Sequence, residues 1–183
     1  CNAFDGNHGG LWRVRGRAMS QLLGVPFTSF GLTYSSYYRR APDSNLPECQ
    51  WIMKGLSADE PIGNFGLVGG GAAGLELDRY DLELGTPHRA YLLAHSEGHN
   101  DIFVSVTEES TFNARGYTQG GTGDNNPWTR ADIVYYKTPN DGAVFSVGSM
   151  SWCGSLQHND YDNNVSQIMQ NVLNGFLKPG TLP

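Results

Sequence analysis

The run His95-Ser96-Glu97-Gly98-His99 sets two imidazoles and a carboxylate at alternate positions. On an extended strand all three side chains project from one side. That is a geometry for N/O coordination of a metal, with Asp101 as a fourth group; the plainer reading is a solvated strand end. A second gathering follows Gly148: Ser149, Ser151, Trp152, Cys153, His158, Asn159, Asp160 and Asp162. Cys153 with His158 close in sequence suits an activated thiol nucleophile, although a free cysteine also serves as a small buried hydrophobe. Neither serine sits in a G-x-S-x-G elbow, so a serine hydrolase is not expected. Tyr34, Tyr37 and Tyr38 with Arg39 and Arg40 could line an anion or carbonyl pocket, or pack their rings and wet their tips. Gly69 to Gly74, GGGAAG, matches the dinucleotide fingerprint. It lacks a clean strand before it and a helix after it, so a turn with closely packed backbones is expected instead. Cys1 raises the idea of an N-terminal nucleophile, against that of a processing boundary.

These groups need elements to position them. Ala143–Val147 reads as a short buried strand and should pair as a hairpin with Ile133–Lys137 across the turn 138–142. Val165, Ile168, Met169, Val172, Leu173, Phe176 and Leu177 recur at helical spacing and predict a terminal amphipathic helix, with Asn164 and Gln167 as its capping box. Between strand and helix the polar residues 149–162 read as a loop. Arg17–Leu23 predicts one or two helical turns stopped by Gly24, and Val25–Phe30 a strand start. Arg89–Ala94 predicts a buried strand, and Ile102–Thr107 a strand or the start of a helix running into Glu108-Glu109. Tyr34–Arg40 reads as an aromatic-basic loop, Asp59–Gly74 as a long joint and Phe112–Trp128 as a glycine-rich surface loop. Short strands, mostly apolar on both faces, favour an α/β fold with a mixed sheet and flanking helices. Helix is too scarce to cover both faces, as in one piece of a larger unit.

With 183 residues the chain is long enough for one domain with a real core. A net charge of −6 and no Lys/Arg cluster argue against nucleic acid or anionic membrane as a partner. No apolar run reaches the roughly 18 residues of a membrane span. Three cysteines, Cys1, Cys49 and Cys153, form neither a disulfide framework nor a zinc spacing. A cytoplasmic, reducing setting is therefore expected. No secretory leader is seen, and a start at Cys1 is expected for a processed product or a piece of a longer chain.

Several separated strings resemble one family: Gly9–Gly31, SSYYRR at Ser35–Arg40, Ile62–Pro87, and VFSVGSMSWCGSLQHNDYDNNVSQIMQNVL at Val144–Leu173. The family is the large (β) subunit of N,N-dimethylformamidase, in its C-terminal region. The resemblance implies an amidohydrolase that cleaves a small N-substituted amide to an acid and an amine. It further implies a glutamine-amidotransferase-like α/β unit, an oligomer with a second polypeptide of the same enzyme, and iron held by tyrosine phenolates and a glutamate, the iron activating water. The tyrosine ligands are expected upstream of this chain. The resemblance also places a glutamate just before the Gly-Gly-Leu-Trp string, where Gly6-Asn7-His8 stands here.

The expected reading is thus a dimethylformamidase-like hydrolase of C–N bonds. Its catalytic candidates are Asn7, His8, Tyr34, Cys153 and His158, and its metal candidates are His95, Glu97 and His99. The alternatives are a non-catalytic assembly module that keeps the fold, and a hydrolase working through Cys1.

Overall fold

The computed structural model describes residues 16–105 and 126–178. Cys1, Asn7, His8 and the segment 112–125 lie outside them. In chain order the elements are α1 (Ser20–Leu23), β1 (Phe27–Arg40), β2 (Ala73–Asp78), β3 (Tyr91–Glu97), β4 (Val104–Ser105), β5 (Asp132–Lys137), β6 (Ala143–Ser146), α2 (Ser151–Ser155) and α3 (Asn164–Leu177). The strands lie in the order β2-β1-β3-β5-β6, with β4 on β1.

Helices and sheet are both present, as expected, but every described pairing is antiparallel. The parallel pairs of a mixed sheet do not occur among the described residues. A parallel pair needs a long crossover, usually a helix, and no α-helix lies between β1 and β6 among the described residues.

The Tyr34–Arg40 run is strand, not loop: it is the second half of β1, a strand of 14 residues. Residues 27–36 pair with β2 from Phe27↔Asp78 to Ser36↔Ala73, with irregularities between Phe27 and Ser29 and between Gly31 and Ser35. The second half pairs with β3, Tyr37↔Glu97 to Arg40↔Ala94. β4 then resumes along the same edge at Phe30↔Val104 and Ser29↔Ser105. Residues 98–103 therefore leave the edge opposite 31–36 and return in register. Phe103 fills the gap: a Cβ on Gly31 would lie 2.8 Å from its ring.

The glycine-rich stretch packs backbone on backbone, as expected. A Cβ on Gly71 would stand 2.2 Å from the Ser36 carbonyl oxygen, and Ser35 N–H donates to the Gly69 carbonyl at 3.0 Å. Gly74 already belongs to β2, so no helix follows to receive a pyrophosphate. The β5–β6 hairpin forms as the turn residues predict, with Thr138 N–H on the Gly142 carbonyl at 2.7 Å. β6 is half-buried rather than buried, because it is the last strand in the order.

Where a loop was expected after Gly148, the chain makes the short helix α2. Its serines are tied down: Ser151 Oγ meets Ser35 Oγ at 2.9 Å, and Ser155 Oγ donates to the Phe65 carbonyl at 2.7 Å. α3 forms where its periodicity predicts. Its cap is Asn163, one residue earlier than the expected capping box, whose side chain accepts from Ser166 N–H at 2.9 Å. Asn164 instead accepts from Gly63 N–H at 3.0 Å and donates to the Pro61 carbonyl. Val165, Ile168 and Val172 enter the core, whereas Leu173, Phe176 and Leu177 stay partly exposed. The core joins Tyr38, Leu77, Leu93, Ile133, Tyr135 and Trp152 to that helix face. Among the described residues no helix is long and apolar enough to cross a membrane.

Candidate functional site

The residues with chemical potential fall around two clefts. The larger, about 750 Å³, wraps the end of β3 and is lined by His95, Ser96, Glu97, His99, Asn126, Thr129 and Arg130, among others. Strand alternation puts the half-buried His95 and Glu97 on one face and the buried Ser96 on the other. Gly98, at φ +73°, then turns the chain. His99 consequently joins Ser96 and not His95 with Glu97, so the three metal candidates do not share a side. Among the described residues no three His, Cys, Asp or Glu side chains are placed to hold a metal ion.

Other bonds occupy this cleft. Ser96 Oγ accepts from Ala131 N–H at 2.7 Å and lies 2.6 Å from His99 Nε2. Burial pushes the His99 imidazole down to about 4, so it is neutral near pH 7. In the tautomer where the Ser96 hydroxyl donates to Nε2, the imidazole proton sits on Nδ1. Among the described residues that buried Nδ1 has no partner, and neither has Thr129 Oγ1. A buried donor left unmatched costs roughly 1–3 kcal/mol, and in that tautomer both groups can donate to an acceptor oxygen. The charges beside them are already matched. Arg39 Nε donates to Glu97 at 2.9 Å and holds that carboxyl below its usual range. Arg130 Nε donates to both carboxylate oxygens of the buried Asp132 at 3.0 Å. Asp132 also accepts from Tyr80 N–H at 2.6 Å. The cleft thus offers neutral donors framed by closed ion pairs, an arrangement that can orient a carbonyl.

The smaller cleft, about 390 Å³, lies between β2, β6 and α2. Asp78, Phe145, Val147, Met150, Trp152 and Cys153 are among its walls. Cys153 is exposed there, but His158 is not in the wall: its ring stacks on Phe65, with centroids 4.2 Å apart. The thiol and imidazole suggested by sequence proximity are therefore not brought together in either cleft. Burial, helped by the charge of Glu76, pushes Asp78 up to about 7. Asp78 Oδ1 and Trp152 Nε1 are buried without partners. Tyr34 lines neither cleft and packs against the core from β1.

Asp78 was missed by sequence reasoning. Alternation in Leu75-Glu76-Leu77-Asp78 gives it the solvent face, and the left-handed Leu75 at φ +63° has no sequence signal. Thr129 gave no signal either.

The phenolate–glutamate iron set is not met by these residues. Tyr38 is buried, its hydroxyl donates to the Val147 carbonyl at 2.7 Å, and burial raises its pKa well above the usual range. Burial pushes Tyr135 up to about 12. Tyr37 meets Glu97, but Arg39 already neutralises that carboxylate.

Residues 1–163 match the family described as N,N-dimethylformamidase beta subunit-like, C-terminal. The N,N-dimethylformamidase beta subunits of Alcaligenes sp and Paracoccus aminophilus are each 45% identical to the chain over 98% of its length. The matched region is 23% of either relative, so the chain spans about a quarter of their length.

Proposed function

The chain belongs to the N,N-dimethylformamidase beta subunit-like, C-terminal family, and from that premise we propose that it is the C-terminal part of a hydrolase acting on small N-substituted amides. The observation that carries this reading is 45% identity sustained over 98% of the chain. In this proposal the acid and amine are released by the longer polypeptide, working in the cytoplasm as an oligomer with a second polypeptide. Any iron is held by residues outside the described part, within a larger, glutamine-amidotransferase-like α/β unit. The part assigned to this chain is carbonyl orientation. With its proton on Nδ1, His99 joins the Thr129 hydroxyl as a neutral, buried donor without a partner among the described residues, which suits an uncharged amide oxygen.

The test is amine release from N,N-dimethylformamide by the full-length polypeptide with its partner subunit. Wild type should release amine. His99→Gln and Thr129→Val should each lower kcat/KM by roughly tenfold, the worth of one lost hydrogen bond to the carbonyl. No release by the wild-type assembly would overturn the reading.

A second reading, a non-catalytic assembly module, is favoured by the outer side of α3. There Leu173 is 54% and Leu177 78% exposed, beside Tyr161 at 66%. Apolar surface of this kind suits contact with other polypeptide. Unchanged kcat and KM in both variants would favour it. The hydrolase working through Cys1 rests on a residue outside the described part.

A further inference from the structure

Among the described residues Asp78 is the one carboxylate in the wall of the smaller cleft, and no Arg, Lys or His lines that wall. Its backbone is fixed, N–H on the Gly148 carbonyl at 2.8 Å, while its Oδ1 is buried with no hydrogen-bond partner. The charges around it give no relief. Glu76 has the same sign, and Asp132, whose backbone crowds Gly148 as that of Asp78 does, is held by Arg130. Tyr38 donates to the Val147 carbonyl and carries no charge. A carboxylate in such a wall either keeps a proton or takes a cation.

The rest of the wall decides which cation. Val25, Phe145, Val147, Met150, Trp152 and Met169 offer alkyl, thioether and aromatic surface. A hard metal ion wants several oxygen ligands. The two hydroxyls in the wall are engaged: Ser149 exchanges hydrogen bonds with the Gly74 backbone at 2.8 Å in both directions, and Ser146 donates to the Leu23 carbonyl at 2.6 Å. An ammonium ion carrying alkyl groups matches both parts of the wall: an N–H for the carboxylate, methyl groups for the apolar side chains, and positive charge beside aromatic rings. We propose that the cleft between β2, β6 and α2 binds a small alkylammonium ion, its N–H donated to Asp78 and its alkyl groups packed against Val147, Met150 and Trp152. Nothing in this cleft requires that the chain act on an amide.

Cys153 supplies the readout, because it is exposed in the same wall while Cys49 is buried. In the full-length polypeptide, the rate of N-ethylmaleimide addition at Cys153 is followed by peptide mass spectrometry. Dimethylammonium chloride at ten times its Kd should slow that rate by about tenfold. Sodium chloride and the neutral N-methylacetamide should leave it unchanged. Asp78→Asn should abolish the protection and keep the unprotected rate, with Cys49 still unlabelled as a sign of an intact fold. Should that variant expose Cys49, wild type alone decides: dimethylammonium should protect, and tetramethylammonium, which has no N–H, should not. Equal protection by N-methylacetamide or tetramethylammonium, protection that survives Asp78→Asn in a folded protein, or no protection in wild type would overturn the assignment. The readout needs no turnover, so protection in a polypeptide that fails to hydrolyse N,N-dimethylformamide would sink the amide reading alone.

Discussion

The two clefts handle charge in opposite ways. At the end of β3 each buried or half-buried carboxylate has its own guanidinium, Glu97 with Arg39 and Asp132 with Arg130. The unmatched atoms there are neutral, His99 Nδ1 and Thr129 Oγ1. In the cleft under α2 the unmatched atoms include a carboxylate oxygen, and among the described residues its wall holds no cation. A wall with closed ion pairs loses stability when one partner is removed. A wall with a lone carboxylate gains when the charge is removed.

The largest expected effect breaks the first arrangement. Arg130→Ala leaves Asp132, at 0% exposure, as an uncompensated buried carboxylate. Urea denaturation should show a loss of about 3 kcal/mol. A loss within experimental scatter would mean that Asp132 was not relying on its partner.

A comparable effect sharpens the contrast through pH. His99 falls from 6.5 to about 4 on folding, so the unfolded chain holds more protons between those values. Its contribution to stability is present above 6.5 and is lost as pH falls towards 4. Asp78 rises from 3.8 to about 7, so the folded chain holds more protons over that range. Its contribution is present below 3.8 and is lost as pH climbs to 7. Each window amounts to something on the order of 3 kcal/mol, and in the wild type the two slopes oppose each other. Asp78→Asn should therefore steepen the acid-side loss, and it should be more stable than wild type at pH 8. His99→Gln should gain stability as pH drops from 7 towards 4. Urea midpoints across pH check both, and slopes of the same sign in the two variants would refute the contrast.

The smallest effect marks the rim of the larger cleft. Arg39 and Glu97 are 39% and 43% exposed in their side chains, and such pairs contribute little. Arg39→Ala should cost under about 1 kcal/mol, most of it removed by salt. A loss as large as that of Arg130→Ala would place this pair among the buried ones.

What was legible in the sequence followed local rules. The β5–β6 hairpin and α3 obey periodicity and turn chemistry, and the GGGAAG stretch sits where only backbone fits against Ser35 and Ser36. Long-range pairing was hidden. Tyr34–Arg40 carries too many polar groups to read as strand, yet β3 supplies its ladder partners from more than fifty residues away. The metal reading of 95–99 assumed continuous extension, and one left-handed glycine at 98 ended it. Ser151–Ser155 looked like loop because serine and glycine are poor helix formers; partners on Ser35 and Phe65 make the turn affordable. Asp78 follows the pattern of a wetted strand residue, and only the register of β2 against β1 and the close approach of Gly148 bury its oxygen.

β1 carries a consequence for how the molecule comes apart. Phe27 at one end sits opposite Asp78, and Tyr37 near the other sits opposite Glu97, so a single strand pairs with a wall residue of each cleft. No cut between them yields two self-standing halves. In deuterium exchange the inner amides of β1 should open in concert, at the rate of the whole molecule, and a nick at its midpoint should disable both recesses together.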